Sequence, residues 1–180
     1  MNQILKLLVG EDRRSIGHSD EVVQIILQQP EKFDELFQGL YELDPIIRMR
    51  TADAIEKITI NKPNLLIPYK QKILGLINKV DQIEVQWHFA QIIPRLSLST
   101  DEIDNSFRII EGYLTSPSAI VKAFSLQCLF ELTLQKPDLL PQTRKHLNKG
   151  LESSVKAVQS RSRMLLKEIE KYDRNKKPNQ

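Results

Sequence analysis

The stretch that decides the fold runs from residue 47 to residue 58 and reads Ile47-Arg48-Met49-Arg50-Thr51-Ala52-Asp53-Ala54-Ile55-Glu56-Lys57-Ile58. Three further segments, 85–96, 121–132 and 158–169, align with it over twelve positions without gaps. Positions one, nine and twelve are always aliphatic: Ile47, Val85, Val121, Val158; Ile55, Ile93, Leu129, Leu166; Ile58, Leu96, Leu132, Ile169. The segments start 38, 36 and 37 residues apart, which indicates a structural repeat of about 37 residues.

Glycine and proline recur in phase with these segments. A glycine lies eight to ten residues before each of them, at Gly39, Gly75, Gly112 and Gly150. Pro63 and Pro137, each within a Lys-Pro-Asn/Asp-Leu-Leu phrase, lie 74 residues apart, which is two periods of 37. Each repeat is therefore predicted to contain two helices, the first after the proline phrase and the second over the twelve-residue segment.

The starts of two second helices carry capping signals. Asp44-Pro45 and Ser116-Pro117 each place a side-chain acceptor before a proline. Such an Asp or Ser satisfies an orphan backbone N–H, and proline presets φ for the first helical turn. Because neither helix of a repeat could bury its apolar stripe alone, neighbouring repeats are expected to stack.

The phrase Asp44-Pro45-Ile46-Ile47-Arg48, followed by Ala52, Ala54 and Ile55, resembles the second helix of a HEAT repeat. The resemblance covers roughly residues 31–171, and the chain is similar to the small free-standing HEAT-repeat proteins of bacteria and archaea. It implies an all-α fold, a right-handed α–α superhelix of about five helical pairs. Two features depart from the family: the period is shorter than its usual 40–47 residues, and the arginine of position two occurs only at Arg48.

We predict a single domain over residues 1–172 and a flexible basic tail over 173–180. Position six is Ala52, Ala90 and Leu126 but Arg163 in the last segment, which predicts a polar outer face where the stack ends. The predicted divisions are a degenerate N-terminal cap unit over 1–30, with helices over 3–9 and 20–29, and repeats over about 31–67, 68–103, 104–140 and 141–172.

Composition and charge narrow the classes of function. Hydrophobic content of 41% with 27% charged residues is typical of a globular protein. A lone Cys128 excludes a disulfide framework, and no apolar run reaches the roughly 18 residues of a membrane span, so a cytoplasmic protein without a membrane partner is expected. Residues 1–141 carry 15 basic and 19 acidic side chains, a net of −4, whereas residues 142–180 carry 11 and 4, a net of +7.

The sequence contains no pattern typical of an active site. His18, His88 and His146 fall in different repeats without metal-ligand spacing, and no glycine-rich phosphate loop or nucleophile elbow is present. Cys128 aligns with Ala54 and Ile92, which predicts a buried, inert thiol. We therefore expect no catalytic residue, no cofactor and no bound metal.

The leading hypothesis is a non-enzymatic interaction or scaffold module that binds a protein or peptide. In HEAT repeats the second helices line the concave face, and the resemblance implies the same here. Residues at the predicted exposed positions of these helices belong to types enriched in binding hot spots. They form a predicted ridge of Arg50, Trp87, His88, Arg95, Phe124 and Arg161. Trp87 and Phe124 could equally belong to the peripheral core.

The alternative hypothesis is nucleic-acid binding, which HEAT-like DNA glycosylases perform through a basic concave groove. On the last helix, Arg163, Lys167 and Lys171 share one face with Lys156 and Arg174, and this face could hold phosphates. A solvated capping face explains the same stripe. A third candidate site, for an anion or a partner, contains Arg13, Arg14 and His18, where the repeat is interrupted; an N-terminal cap turn is the competing interpretation. The identity of the partner and the oligomeric state stay open.

Overall fold

The structure is a computed structural model that describes residues 1–12 and 15–176. Within these residues the chain forms α-helices joined by turns and short 3-10 segments, with no strand, which confirms the predicted all-α class. The helices are α1 (Gln3–Leu7), α2 (Ser19–Gln28), α3 (Phe33–Phe37), α4 (Pro45–Asn61), α5 (Lys70–Ile77), α6 (Ile83–Ile92), α7 (Thr100–Tyr113), α8 (Ala119–Gln135), α9 (Leu140–Leu151) and α10 (Lys156–Lys176).

The chain divides into two compact units, Met1–Ser97 with α1 to α6 and Leu98–Gln180 with α7 to α10. We call them unit 1 and unit 2. The predicted single domain over residues 1–172 and the right-handed superhelix stay predictions.

Helix α4 is the centre of unit 1. It packs against α2, α3 and α6, so it has neighbours on more than one side. Ala52, Ala54 and Ile58 are completely buried, and Ile47 and Ile55 are nearly so. A helix that is covered in this way needs small or apolar residues around most of its circumference, as the sequence of α4 provides.

Helix α8 has the corresponding place in unit 2, where it packs against α7, α9 and α10. Val121, Cys128, Leu129 and Leu132 have no exposed surface. The core on its α10 side consists of Leu126, Phe130, Leu147, Val158, Leu165 and Ile169.

Burial follows the predicted repeat. Every residue at positions one, nine and twelve of the four segments is buried, except Leu166, which is half-buried. At position six Ala52, Ala90 and Leu126 are buried whereas Arg163 is exposed, as predicted. The period of 37 therefore corresponds to equivalent packing environments.

The capping prediction is confirmed at α4 and wrong at α8. Asp44 caps α4, and its Oδ1 accepts from the Ile46 N–H at 2.8 Å. At α8 the cap is Ser118, which accepts from the Val121 N–H, while Ser116 accepts from the Ser118 N–H. The shift has a backbone cause, because Ser118 is still extended and helical dihedrals begin only at Ala119.

Three predicted boundaries also need correction. Helix α1 ends at Leu7 instead of residue 9, and α2 begins one residue early at Ser19 and ends at Gln28. The tail predicted from residue 173 is wrong for residues 173–176, because α10 continues to Lys176 and Asp173 forms an ion pair with Arg144 of α9. Residues 177–180 lie outside the described residues.

Two of the four repeated glycines allow helices to approach closely. A Cβ on Gly39 would overlap Thr51 Oγ1, and one on Gly150 would overlap Ser162 Oγ. Thr51 and Ser162 both occupy position five of their segments. Gly75 and Gly112 have nothing within 4 Å of such a Cβ, so their periodic placement reflects no tight contact.

A polar bridge through Arg48 joins successive repeats inside unit 1. Arg48 Nε donates to Gln82 Oε1 at 2.9 Å, and Gln82 Nε2 donates to the Pro45 carbonyl at 2.8 Å. Gln82 lies three residues before its twelve-residue segment, as Asp44 does one repeat earlier. The bridge thus connects equivalent registers of neighbouring repeats.

Burial at position six generates a stability prediction. Ala52→Arg should lower the free energy of unfolding by at least about 2 kcal/mol, because a long cation would be forced into a closed core without a partner. Arg163→Ala removes an exposed side chain at the same aligned position and should cost within about 0.5 kcal/mol. Urea unfolding followed by circular dichroism measures both. Equal losses would contradict the assignment of position six.

Candidate interaction sites

Arg50 is buried inside unit 1, with a relative exposure of 3%. Its guanidinium donates hydrogen bonds to four backbone carbonyls of the segment before α2. Nη1 donates to Leu8 at 3.0 Å and Val9 at 2.9 Å, Nε to Ser15 at 3.0 Å, and Nη2 to Asp12 at 3.2 Å. Four of the five N–H groups of the arginine are therefore used within the protein.

The backbone before α2 wraps closely around this guanidinium. A Cβ on Gly10 would lie 2.5 Å from Arg50 Nη1, and one on Gly17 would lie 2.6 Å from it. Gly17 also has a φ of 55°, the left-handed region that favours glycine. The predicted placement of Arg50 on an exposed ridge is wrong, because carbonyl groups of an irregular segment surround this position.

The predicted N-terminal site is described in part. His18 is exposed, and its Nδ1 lies 3.0 Å from Glu21 Oε2, one turn further along the chain. Arg13 and Arg14 lie outside the described residues. The irregular segment also provides the carbonyls that hold Arg50, which gives a packing reason for its presence.

His88 is buried as well, with a relative exposure of 5%, so its predicted exposure is wrong. It lies on α6, the helix that packs on α4. Burial lowers the pKa of its imidazole below the usual value, and Lys57 acts in the same direction. The carboxylates of Asp53 and Glu56 oppose the shift without cancelling it.

A group of hydrogen-bonded side chains lies between α2 and α4. Ser19, with no exposed surface, donates from Oγ to Asp53 Oδ2 at 2.5 Å. Lys57 Nζ lies 2.8 Å from Asp53 and 2.7 Å from Asp20. These polar groups of α4 thus have partners within unit 1.

Arg95 and Trp87, the other ridge residues of unit 1, are half-buried. Arg95 Nη2 lies 2.6 Å from Glu56 Oε1, and its Nη1 donates to Thr59 Oγ1 at 2.9 Å. The centroid of the Trp87 ring lies 4.8 Å from the centroid of the His88 ring. Arg95 is consequently engaged in holding its own repeat to α4.

Phe124 and Arg161, the ridge residues of unit 2, form a stacked pair. Arg161 Cζ lies 5.5 Å from the centroid of the Phe124 ring. Arg161 Nη1 donates to Gln127 Oε1 at 2.7 Å, and Gln127 Nε2 in turn donates to Glu131 Oε1 at 2.7 Å. Both side chains are half-buried, and within the described residues the guanidinium makes no other hydrogen bond. Its remaining donors are available to a ligand.

The basic face of α10 is exposed, as predicted, at Arg163, Lys167 and Lys171. Lys171 Nζ lies 2.7 Å from Glu168 Oε1, so part of its charge is balanced on its own helix. Arg163 and Lys167 have no acidic partner in the part of the chain that the structure describes. Binding of phosphates there stays a prediction.

Unit 2 also contains a groove of about 460 Å³ that the sequence did not reveal. Its apolar lining residues are Leu114, Leu126 and Val158, and two further lining residues, Glu111 of α7 and His146 of α9, lie 2.6 Å apart. The other lining residues are Thr115, Lys122, Lys149, Gly150, Glu152 and Ser153. Most of these lining residues lie in turns or at the end of the first helix of a repeat. Both places are outside the aligned twelve-residue segments.

Cys128 is completely buried, as predicted, and burial raises the pKa of its thiol well above the usual value. Among the described residues, no three His, Cys, Asp or Glu side chains are grouped in a way that could hold a metal ion. No described helix combines the length and apolar character needed to cross a bilayer.

Comparisons with known proteins give no relative: no protein-family model, no curated protein and no solved structure matches this chain.

The environment of Arg50 predicts a large effect of its removal. Arg50→Ala leaves four carbonyls without their donor and should lower the free energy of unfolding by about 2–4 kcal/mol. The matched control is Arg108→Ala, which removes an exposed arginine of α7 and should cost within about 0.5 kcal/mol. Chemical unfolding of both variants measures the difference, and equal costs would show that Arg50 does not organise the segment before α2.

The burial of His88 predicts a pH dependence of stability. Because the folded-state pKa lies below the unfolded value of about 6.5, the unfolded chain binds more protons as the pH falls below 6.5. Stability should then fall, by up to about 1.4 kcal/mol per pH unit, until the pH reaches the folded pKa.

Unfolding measured between pH 8 and pH 5 tests this effect. The slope should be reduced in His88→Asn and retained in His18→Asn, which changes an exposed histidine. An unchanged slope in His88→Asn would rule out His88 as its source.

Proposed function

We propose that this chain is a cytoplasmic, non-catalytic interaction module, a HEAT-like right-handed stack of helical pairs that binds a protein or peptide. Support for the stack comes from the 37-residue repeat, whose aligned positions have matching burial. The bridge between Arg48 and Gln82 adds support, because it joins equivalent registers of two successive repeats.

The stacked pair of Phe124 and Arg161 is the observation that carries the proposed binding role. An arginine held against an aromatic ring and oriented by Gln127 loses little conformational freedom when it meets a ligand. Arginine and aromatic side chains are also prominent among binding hot spots. The free donors of Arg161 suit a carboxylate or carbonyl group of a peptide.

The proposed partner-binding surface is narrower than the predicted ridge. Arg50 and His88 are buried, and Arg95 is paired with Glu56, so these three contribute to the stability of unit 1. Phe124 and Arg161 are half-buried, and they are the ridge residues to which we assign partner binding.

Selection of peptides from a displayed random library against the intact immobilised chain tests this function. Fluorescence anisotropy then gives the Kd of each enriched peptide. Arg161→Ala and Phe124→Ala should each cost more than about 1 kcal/mol of binding, roughly fivefold or more in Kd. Arg161→Lys, which keeps the charge but loses the planar donor, should weaken binding similarly.

The matched control is Glu170→Ala, an exposed change on the same helix that should leave the Kd unaltered. Thermal melts monitored by circular dichroism establish that each variant is folded. An absence of enriched peptides, or peptides that bind the Arg161 variants as tightly as the parent chain, would contradict the proposal.

Exposure of Arg163 and Lys167 favours nucleic-acid binding as a second candidate function. If this face of α10 holds phosphates, affinity should fall steeply with salt, with a log–log slope of about −0.9 per contacted phosphate of duplex DNA. Neutralising Arg163, Lys167 and Lys171 together should make that slope less steep, by up to about 0.9 for each of the three lost phosphate contacts. It should also weaken binding to all sequences alike.

Anisotropy over a salt series with random-sequence duplex and single strands measures this dependence. We expect weak, non-specific binding at most, because the net charge of +7 over residues 142–180 is screened within about 8–10 Å at physiological salt. No detectable binding at low salt would remove the second candidate function.

A further inference from the structure

Leu43 lies in the turn that precedes α4, and its side chain has a relative exposure of 94%. Tyr41, two residues earlier, is 51% exposed, and Ile83, the first residue of α6, is 40% exposed. One exposed apolar side chain is ordinary on a protein surface, whereas a contiguous group of them is a mark of an interaction site. We call these three side chains, with the two turns that carry them, the turn surface of unit 1.

Two hydrogen-bonded side chains join the turns of this surface. Arg48 Nη1 donates to the carbonyls of Glu42 and Leu43, each at 2.8 Å. Its Nε donates to Gln82 Oε1 at 2.9 Å. Gln82, next to Ile83 in the chain, donates back to a backbone carbonyl at the start of α4 at 2.8 Å. Leu43 and Ile83 therefore belong to one surface whose backbone is held in place before a partner arrives, which reduces the entropy lost on binding.

The two turns are acidic. Segments 41–48 and 79–84 carry four acidic and two basic side chains, a net of −2. The four carboxylates form no ion pair among the residues that the structure describes, and they belong to Glu42, Asp44, Asp81 and Glu84. Of the two cations, Arg48 uses Nε and Nη1 within the surface. A cationic partner is therefore favoured over an anionic one.

We propose that the turn surface of unit 1 binds a cationic amphipathic helix of a partner protein. Leu43 fits the hole that four side chains of a helix form, as a knob does in helix packing. Tyr41 and Ile83 extend the apolar contact, and Lys or Arg residues beside the apolar stripe of the helix pair with the carboxylates of the two turns. Phe124 and Arg161 belong to unit 2, so this binding does not depend on the proposed function.

Fluorescence anisotropy with the intact chain and three labelled peptides tests this surface. Each peptide has about 18 residues, which is long enough to form a helix. The first places leucines on one helical face and lysines on the other, and the second replaces every lysine with glutamate. The third has the composition of the first in an order that gives no apolar stripe. The lysine peptide should bind saturably, and the reordered peptide should bind at least about tenfold more weakly.

Leu43→Ser should weaken binding of the lysine peptide by about tenfold, because burial of a leucine side chain contributes about this factor or more. Since Leu43 is exposed in the free chain, the variant should keep the thermal unfolding midpoint of the parent. The matched control is Ile60→Ser, an exposed apolar residue at the other end of α4, about 20 Å along the helix axis from Pro45. The control should leave the Kd unaltered, and binding of the glutamate peptide should respond to neither change.

The acidic side chains are tested separately. The double variant Asp81→Asn, Glu84→Gln should weaken binding of the lysine peptide by about fivefold at low salt and by less at high salt, where the charges are screened. The matched control is Asp138→Asn, Glu170→Gln, which removes two exposed carboxylates of unit 2 and should leave the Kd unaltered. Equal losses in the two double variants would contradict the role of the acidic turns.

Four further results would overturn the proposal. The first is no saturable binding of the lysine peptide, and the second is a loss in Leu43→Ser that Ile60→Ser or Arg161→Ala matches. The third is an equal loss of the glutamate peptide in Leu43→Ser. The fourth is self-association of the parent chain in analytical ultracentrifugation that Leu43→Ser abolishes, because a second copy of the chain would then cover this surface.

Discussion

Burial of the second helices, α4 in unit 1 and α8 in unit 2, is the constraint on which the rest of the structure depends. Each of these helices has neighbours on several sides, so most of its circumference must be apolar or small. A polar residue on such a helix needs a partner from the same unit, because burial without one is costly. Arg50 donates hydrogen bonds to backbone carbonyls, Asp53 accepts one from Ser19, and Glu56 forms an ion pair with Arg95. These contacts explain why unit 1 uses polar side chains where an exposed ridge was expected.

The helical class, the period and the buried positions could be predicted because apolar burial depends on spacing, which a sequence displays directly. Ala52 and Ala90 share a register and an environment, and Arg163 departs from both in the same register. The burial of Arg50 could not be predicted in this way, because its partners are carbonyls of an irregular segment without a period. The groove of unit 2 could not be predicted for a similar reason. Two of its lining residues, Lys149 and Glu152, lie at a helix end and in a turn, outside the aligned segments.

The proposed partner-binding surface depends on one half-buried cation, Arg161 of unit 2. Its guanidinium lies over the Phe124 ring and donates to Gln127, and its remaining donors are available to a ligand. The corresponding cations of unit 1, Arg50 and Arg95, are occupied by internal hydrogen bonds. Unit 2 is therefore where we place recognition through an arginine, and unit 1 is where the same residue types stabilise the fold.

Native-state hydrogen exchange resolved by residue tests the central role of the second helices most directly. Amides that open only with the whole unit exchange slowest, and they should be those of α4 around Ala52 to Ile58 and of α8 around Leu126 to Leu132. Amides of the five-residue helices α1 and α3 should exchange through local opening at much lower free energy. Exchange of the α4 and α8 amides as fast as those of α1 would contradict this role, because it would mean that burial of the second helix does not stabilise the unit to which it belongs.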